Sequence, residues 1–282
     1  MKTSGTLFIV ATPIGNLGDI TLRALETLKN VDLIAAEDTR HSKKLLEHYG
    51  IITPTISLHN YNETKRCQFI LNQLQQGKSV ALITDAGTPL ISDPGYHLVK
   101  TIRENGLDTI PIPGASAAIA ALSAAGLPTD KFIFEGFLPA KSKQQLEHLQ
   151  TLAGETRTII FYESPHRLLA TIGNMQVAFG DDRLVVLAKE LTKTFETIHS
   201  DTLPGLQNWL IEKPERQKGE FVILVKGITK EKDAEITPET LRTLNLLSEN
   251  MSHKQAVILT AKITGANKNV LYKISCGKHP VK

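Results

Sequence analysis

Residues 80–96 read VALITDAGTPLISDPGY, and this stretch shows how the chain is built. The apolar run Val80–Thr84 fits a buried strand, and the two Pro, two Gly and two Asp that follow it predict a rigid loop. Asp93 can cap a helix that begins at Pro94, whereas Asp85 stands at the end of the strand without such a role. Strand, Gly/Pro loop and helix in this order are typical of α/β proteins, which bind ligands at the carboxyl ends of strands.

Strand-like and helical patterns alternate over the first 227 residues. Further apolar runs predict strands at Leu7–Ala11, Val31–Ala36, Thr109–Ile112, Phe132–Phe134, Thr158–Tyr162, Leu184–Ala188 and Phe221–Val225. Helical spacing occurs in Thr21–Asn30 and Cys67–Gln76, and Ala115–Ala125 is apolar all round, which predicts a buried helix. The alternation indicates an α/β fold with a largely parallel sheet. Because the strands are too many for one small sheet, we expect two α/β lobes, residues 1–115 and 116–227.

Gly, Pro and charged residues follow several other predicted strands. They form the segments ATPIGNLGD (11–19), PIPGASA (111–117), FYESPHR (161–167), KELTKTFE (189–196) and GE (219–220). The first segment is neither a dinucleotide fingerprint nor a phosphate-binding P-loop, so phosphate is not the obvious ligand. Because these segments lie at strand ends in both halves of the chain, they predict a cleft between the two lobes.

Composition is that of an ordinary globular protein, since 41% of the 282 residues are hydrophobic and 22% are charged. The two cysteines, Cys67 and Cys276, have no metal-ligand spacing and the nine histidines are scattered, so no metal site is predicted. Cysteine usage, the lack of a secretion signal and the lack of an apolar run of about 20 residues favour a cytoplasmic protein outside the membrane.

Basic charge is concentrated near the carboxyl terminus. Residues 226–282 hold ten Lys and Arg against five Asp and Glu, a net +5, whereas residues 1–225 hold 22 against 24, a net −2. A polar linker, Lys226–Thr237, precedes helical patterns at Pro238–Asn250, Ser252–Ile263 and Asn267–Cys276. Residues 238–282 therefore form a basic helical module. It is either similar to a helix-turn-helix that binds a polyanion or a solvated helical cap on the α/β body.

Five segments taken together resemble the tetrapyrrole methylase superfamily, and more narrowly its ribosomal RNA small subunit methyltransferase I group. They are LFIVATPIGNLGDITLRALETLKNVDLIAAEDTR (7–40), ITDAGTPLISDPG (83–95), PIPGASA (111–117), FYESPHR (161–167) and KELTKTFE (189–196). The resemblance covers roughly residues 5–227, and the basic tail suits this group. It implies two α/β lobes with S-adenosylmethionine between them and a homodimer. It also implies methylation of the ribose 2′-hydroxyl of a cytidine in 16S ribosomal RNA or the assembled 30S subunit.

The resemblance also implies which residues bind the cofactor. The residues that match the family's cofactor loops are Pro13, Gly15, Gly87, Thr88, Pro89, Ile91, Ser92, Ser116, Ala117, Phe161 and Tyr162. Thr88 stands where other members of the superfamily have an acid, a departure that the RNA-directed group shares and that argues against a porphyrin substrate.

Methyl transfer from a sulfonium to a hydroxyl is an in-line displacement, which is chiefly a positioning task and needs no metal. A ribose hydroxyl is a poor nucleophile, and a base is worth about 10²–10⁴-fold. The candidate bases are Asp85, Glu163 and Glu190, each of which could instead cap a helix or accept a buried hydrogen bond. The candidate substrate-binding residues are Arg40, Arg167, Lys193, Lys254, Lys262 and Lys268.

Two other classes of function are compatible with the sequence. A methylase of corrinoid or porphyrin-type small molecules would share the fold but leave the basic tail without a role. A non-catalytic RNA-binding protein would use the tail but would not bind S-adenosylmethionine. Cofactor binding and a comparison of the two substrate classes separate these alternatives.

Overall fold

A computed structural model describes residues 5–59, 61–229 and 236–276. The chain divides into two compact units, residues 1–227 and residues 228–282. In the described part of the chain, none of the helices combines the length and the apolar character that crossing a membrane requires.

The first half of the larger unit is built on a parallel five-stranded sheet with the order β3-β2-β4-β1-β5. Its strands are β1 (Thr6–Val10), β2 (Leu33–Ala36), β3 (Thr55–Ser57), β4 (Val80–Ile83) and β5 (Asp108–Ile112). Its helices are α1 (Leu22–Asn30), α2 (Thr39–His48), α3 (Glu63–Gln75) and α4 (Tyr96–Glu104). The central strand β4 is buried along its whole length, as its continuous apolar run predicts for a parallel sheet.

Local sequence explains where these helices begin and which side they bury. The Thr21 side chain accepts a hydrogen bond from the Ala24 N–H at 3.1 Å and so caps α1, whose Ala24 and Leu28 are buried against the sheet. On the opposite face, α3 and α4 pack together through apolar residues that include Ile70, Leu74 and Leu98. Helix α4 begins at Tyr96 after Gly95, so the expectations of a start at Pro94 and a cap by Asp93 were wrong.

The second half of the larger unit carries a mixed sheet with the order β6-β7-β10-β8-β9. Its strands are β6 (Phe132–Phe137), β7 (Thr158–Glu163), β8 (Leu184–Lys189), β9 (Thr197–Thr202) and β10 (Phe221–Val225). Only β6 and β7 pair in parallel; β10 runs antiparallel to both β7 and β8, and β9 is antiparallel to β8. The prediction of a largely parallel sheet therefore holds for the first half alone. The apolar runs indicated strands but carried no information about their direction.

Helices cover both faces of the second sheet. Helices α6 (Ser142–Thr151), α7 (Leu168–Phe179) and α8 (Leu203–Glu212) enclose a core around Phe161 on one face. On the other face, α5 (Ala117–Ala124) packs through Ala118, Ala121 and Leu122. The prediction that this helix is buried on all sides was wrong, because Ile119 is 52% exposed.

The smaller unit consists of three helices, α9 (Pro238–Asn250), α10 (His253–Thr264) and α11 (Lys268–Cys276). Its core contains Leu244, Ala256, Val257, Ala266 and Leu271. Helix α10 follows Ser252 and ends at Gly265, which adopts a left-handed conformation with φ of +73°, as the sequence predicts.

Candidate functional site

A cavity of about 320 Å³ opens where the strands of both sheets end. Ala86–Thr88 follow β4, and Ser116 and Ala117 follow β5. Tyr162 and Glu163 close β7, and Ala188 lies near the end of β8. Strand β10 begins at the same edge because it runs antiparallel to β7 and β8, so it contributes Phe221 and Val222. The parallel sheet and the mixed sheet therefore both border this cavity with the edge at which α/β proteins bind ligands.

Most of the predicted cofactor-binding residues line this cavity, and each of the others is next in sequence to a lining residue. The lining residues among them are Gly87, Thr88, Ile91, Ser92, Ser116, Ala117 and Tyr162. Pro13, Pro89 and Phe161 are buried and do not line it. Gly15 is exposed, and a Cβ on it would lie 2.6 Å from Cγ of Lys193, so the first loop packs closely on the second half of the unit.

Two loops of unusual backbone geometry face the cavity, one from each half of the unit. In the Asp93 loop (residues 86–93), Leu90 and Ser92 have φ of +73° and +70°, on either side of Ile91. In the Lys193 loop (residues 190–196), Glu190 and Thr192 have φ of +51° and +66°, on either side of Leu191. These are the four residues other than Gly with positive φ in the described part of the chain. Ile91 and Leu191 both line the cavity, so backbone strain is concentrated at the site.

Asp93 lines the cavity beside a group of further carboxyl residues. Burial raises the pKa of Asp93 to about 6, opposed by the Thr84 hydroxyl and reinforced by the negative charges of Glu37 and Asp85. The Thr84 hydroxyl donates its single proton to Glu37 Oε2 at 2.6 Å, so that proton is not fully available to Asp93. Sequence reasoning assigned Asp93 a capping role, and its place in the Gly/Pro loop was the signal that could have revealed it.

Asp85, the first candidate base, does not line the cavity. Its Oδ1 accepts a hydrogen bond from the Asp38 N–H at 3.2 Å. Burial raises the pKa of Asp85, and the nearby Glu37 adds to that rise. Asp85 therefore contributes negative charge behind Asp93 and ties β4 to the start of α2.

Glu163, the second candidate base, lines the cavity but is 3% exposed and fully engaged. Its Oε1 accepts the Ser164 N–H at 2.7 Å, and its Oε2 accepts the Thr171 hydroxyl at 2.6 Å. Arg167 Nε lies 3.5 Å from Oε1, and its guanidinium also donates to the backbone oxygen of Leu138 at 2.8 Å. Glu163 and Arg167 together hold the turn after β7 in place.

Glu190, the third candidate base, belongs to an ion-pair cluster with Lys193 and Glu220. Lys193 Nζ donates to Glu190 Oε1 at 2.9 Å and lies 3.0 Å from Glu220 Oε2, while the Glu220 N–H donates to Glu190 Oε1 at 2.9 Å. Burial alone would raise the pKa of Glu190, but the hydrogen bonds from Glu220 and Lys193 outweigh it and lower that pKa. Burial would likewise lower the pKa of Lys193, but its hydrogen bonds to Glu190 and Glu220 raise it.

Tyr162 holds the start of α5 against β7 at the cavity wall. Its hydroxyl accepts a hydrogen bond from the Ala118 N–H at 3.2 Å, and burial raises its pKa. On the facing side, the Thr88 hydroxyl donates to the backbone oxygen of Ala115 at 3.0 Å. These two bonds hold the start of α5 between the Asp93 loop and β7.

The remaining predicted substrate residues are exposed. Arg40 forms a two-point ion pair with Asp38 at 2.7 and 3.1 Å, and its hydrogen bonds lower the pKa of Asp38. Lys254, Lys262 and Lys268 are exposed on helices of the smaller unit. The cavity walls also contain Ile14, Leu191 and Phe137, which sequence reasoning did not single out because apolar residues carry no chemical signature.

Comparison with known proteins connects both units to described families. A family model described as Tetrapyrrole (Corrin/Porphyrin) Methylases matches residues 6–207, and one described as RsmI C-terminal HTH domain matches residues 234–275. The chain is 53% identical over 271 residues to Ribosomal RNA small subunit methyltransferase I of Haemophilus influenzae, covering 96% of each chain. The protein with the same name in Pseudomonas aeruginosa is 53% identical over 272 residues and is again 96% covered.

Solved structures of low sequence identity share the fold. A cobalt precorrin-4 methyltransferase superposes with a TM-score of 0.57 at 20% identity, over 78% of this chain and 94% of that one. A diphthine synthase superposes with a TM-score of 0.59 at 14% identity, over 79% of this chain and 90% of that one.

Proposed function

We propose, because this chain belongs to the tetrapyrrole methylase family, that it is an S-adenosylmethionine-dependent methyltransferase of small-subunit ribosomal RNA. The observation that carries the proposal is the 53% identity to curated enzymes of that name along 96% of the chain. The match includes the basic C-terminal unit, which a small-molecule methylase would leave without a role. We assign the ribose 2′-hydroxyl of a cytidine in 16S ribosomal RNA as the acceptor, on the resemblance to this group.

The cavity fits S-adenosylmethionine in size and in charge. Its volume of about 320 Å³ lies within the usual range for small-molecule sites. Asp93, Glu163 and Glu220 line it, whereas no Lys or Arg does among the described residues. Such walls disfavour a nucleotide phosphate and are compatible with a ligand that carries a sulfonium and an ammonium group.

Small residues and the apolar wall account for the way the cofactor would be held. Ala86, Gly87, Ser116 and Ala117 leave backbone groups accessible, since short side chains let a ligand approach the main chain. Pro13, Gly15, Pro89 and Phe161 are each next in sequence to a residue that lines the cavity. Ile91, Ser92 and Tyr162 face the cavity directly, and Thr88 both lines it and ties the Asp93 loop to α5.

The cofactor supplies an electrophilic methyl group on a sulfonium, and the protein supplies the rest. Ile14, Leu191 and Phe221 give the cavity apolar walls, which would limit the water around a bound cofactor and so strengthen charges inside it. The strained Asp93 and Lys193 loops hold their backbones in one conformation before substrate arrives, so little reorganisation is left for the reaction. Glu163 orients Arg167, and Glu190 orients Lys193, which leaves these two cations as candidates to contact the RNA backbone.

Incubation of purified 30S subunits with the protein and methyl-labelled cofactor tests the activity, and mass mapping of the 16S RNA locates the label. We expect one methylated ribose on a cytidine. Incorporation into a corrinoid precursor but not into 30S subunits would favour a small-molecule methylase. Absence of cofactor binding by calorimetry would leave only the RNA-binding alternative.

The charge of the smaller unit supports a role in RNA binding. Residues 251–282 contain six Lys and no Asp or Glu, and Lys254, Lys262 and Lys268 are exposed. Neutralising those three lysines to Gln should reduce the slope of log affinity for 30S subunits against log salt by about 2 to 3. The matched control neutralises Lys43, Lys100 and Lys143, which are exposed and paired with Glu four residues on. Equal slopes for the two triple variants would argue against this role.

The resemblance also implies a homodimer, and the cysteine usage favours the cytoplasm, where ribosomal subunits are found. The apolar side chains of Ile119 and Phe137 are more than half exposed, which suits burial against a second copy. Sedimentation equilibrium should give twice the chain mass of 31.0 kDa, and a monomer would contradict the dimer without affecting the proposed reaction.

A further inference from the structure

A ribose hydroxyl must lose its proton as the new bond to carbon forms, and this requirement rests on the proposed function. The acceptor of that proton has to lie in the cavity and has to be free to receive it. The titratable side chains that line the cavity are Asp93, Tyr162, Glu163 and Glu220.

Three of these four side chains are committed elsewhere. Both oxygens of Glu163 accept short hydrogen bonds from Ser164 and Thr171. Glu220 Oε2 lies 3.0 Å from the ammonium group of Lys193 and is engaged in that ion pair. Tyr162 already accepts the Ala118 N–H, and its raised pKa keeps it protonated at neutral pH.

Asp93 differs from them because its surroundings favour the uptake of a proton. The charged groups that act on it are Glu37, which follows β2, and Asp85, which follows β4, and both are negative. Tyr162 faces it from β7, and Thr84 offers it only a hydroxyl whose proton points at Glu37. Among the described residues no Lys or Arg forms an ion pair with it.

We propose that Asp93 is the catalytic base of this enzyme and accepts the proton of the substrate hydroxyl. In one step the substrate oxygen forms its bond to the methyl carbon, and the hydroxyl proton moves to a carboxylate oxygen of Asp93. The carbon–sulfur bond breaks with its electron pair left on sulfur, which neutralises the sulfonium. The proton then passes from Asp93 to solvent, and the carboxylate is restored.

The ionisation of Asp93 suits this task at physiological pH. Its pKa of about 6 keeps it deprotonated at pH 7.5 and yet makes it a stronger base than an ordinary aspartate. A carboxylate with a conventional pKa would hold the transferred proton less well. The pair Glu37 and Asp85 thus acts on the reaction through Asp93.

Replacement of Asp93 by Asn tests the assignment. We expect kcat on 30S subunits to fall about 10²–10⁴-fold, while the Kd of S-adenosylmethionine measured by calorimetry changes less than about threefold. In the wild-type enzyme kcat/KM should rise with pH around a midpoint near 6, and this limb should be lost in D93N. The control, Asp182→Asn, removes an exposed carboxylate before the opposite end of β8 and should leave both readouts unchanged.

A spectroscopic measurement makes the test independent of turnover. Carbon NMR of labelled aspartate side chains in the full chain should show one carboxyl that titrates near pH 6, and this signal should be missing from D93N. If D93N does not fold, Asp93→Ala with added formate serves instead, and we expect formate to restore part of the activity.

Two results would overturn the assignment. D93N could retain its kcat, or the Kd of the cofactor could rise by the same factor by which kcat/KM falls, which would make Asp93 a cofactor ligand. Failure of the wild-type protein to methylate 30S subunits would count against the proposed function instead, so the two failures are distinguishable.

Discussion

The Asp93 loop and the Lys193 loop have the same backbone construction and opposite electrostatics. In each loop, an apolar residue that lines the cavity has one residue with positive φ before it and one after it. In the Lys193 loop, the carboxylates of Glu190 and Glu220 share the ammonium group of Lys193. In the Asp93 loop, the carboxylate of Asp93 lies near Glu37 and Asp85. Burial raises the pKa of Asp93, and the like charges of these two residues raise it further.

The difference separates a structural loop from a reactive one. Paired charges satisfy each other, lower the pKa of the acid and stabilise the fold, so they are poor proton acceptors. A half-buried carboxylate among like charges costs stability and gains basicity, which is the usual situation of a functional group. Strained backbone alone therefore does not distinguish the two loops, but the partners of their carboxylates do.

Among the variants that test the comparison of the two loops, Gly219→Ala is expected to cause the largest loss of stability. Gly219 has φ of +105°, and a Cβ there would lie 2.6 Å from the Glu190 side chain. The substitution strains the backbone and displaces Glu190 from Lys193 and Glu220, so we expect the free energy of unfolding to fall by about 3 kcal/mol. Urea unfolding measures it.

Gly136→Ala is the matched control, because its added Cβ would approach the Asp93 loop instead of the Lys193 loop. Gly136 has φ of +62°, and its added Cβ would lie 3.0 Å from the Ser92 hydroxyl oxygen, which can rotate away. We expect a loss of about 1 kcal/mol. An equal loss for both glycines would mean that the ion-pair cluster adds nothing to the Lys193 loop.

Lys193→Met should have an intermediate effect that depends on pH. Without the ammonium group, Glu190 and Glu220 repel each other, and we expect a loss of about 1–2 kcal/mol in the free energy of unfolding at pH 7. Because the pKa of Glu190 is lowered in the folded protein, its stabilisation is present above 4.5 and is lost as the pH falls through the lowered value. The difference from wild type should therefore shrink at pH 4.

The control for that experiment is Lys43→Met, which removes an exposed lysine paired with Glu47 at 3.5 Å. It should change the free energy of unfolding by less than about 0.5 kcal/mol at either pH. A loss in Lys193→Met that does not vary with pH would indicate that packing of the lysine stem matters more than its charge.

The smallest expected change in the free energy of unfolding has the opposite sign, and it comes from substitution of Asp93. Its pKa of about 6 in the folded chain exceeds the ordinary value of 3.8, so the charged form is disfavoured by folding. This cost is fully present above pH 6 and absent below 3.8. Asp93→Asn should therefore stabilise the protein by about 1 kcal/mol at pH 7.5, allowing for its contact with solvent, and by nothing near pH 3.5. Thermal unfolding at both pH values measures it, and destabilisation at pH 7.5 would contradict the electrostatic account.

Much of the fold was predictable because its signals are local. All eight predicted strands are present, with ends that differ by up to three residues, since buried strands need apolar runs. Strands β3 and β9 lie at sheet edges, and the polar segment 197–202 shows why such strands are missed. The Gly/Pro loops at strand ends likewise predicted the neighbourhood of the site.

The sequence by itself determined the α/β alternation, the loops at the strand ends and the basic C-terminal helices, because chain stiffness, hydrophobic burial and charge depend on residues close in sequence. Only the tertiary structure decided that the second sheet is mixed. It also decided that the Glu190 carboxylate accepts a hydrogen bond from the backbone N–H of Glu220, 30 residues away. It also decided that Asp93 faces the cavity beside Glu37 and Asp85 instead of capping a helix. Pairing and pKa depend on neighbours in space, which no local pattern specifies.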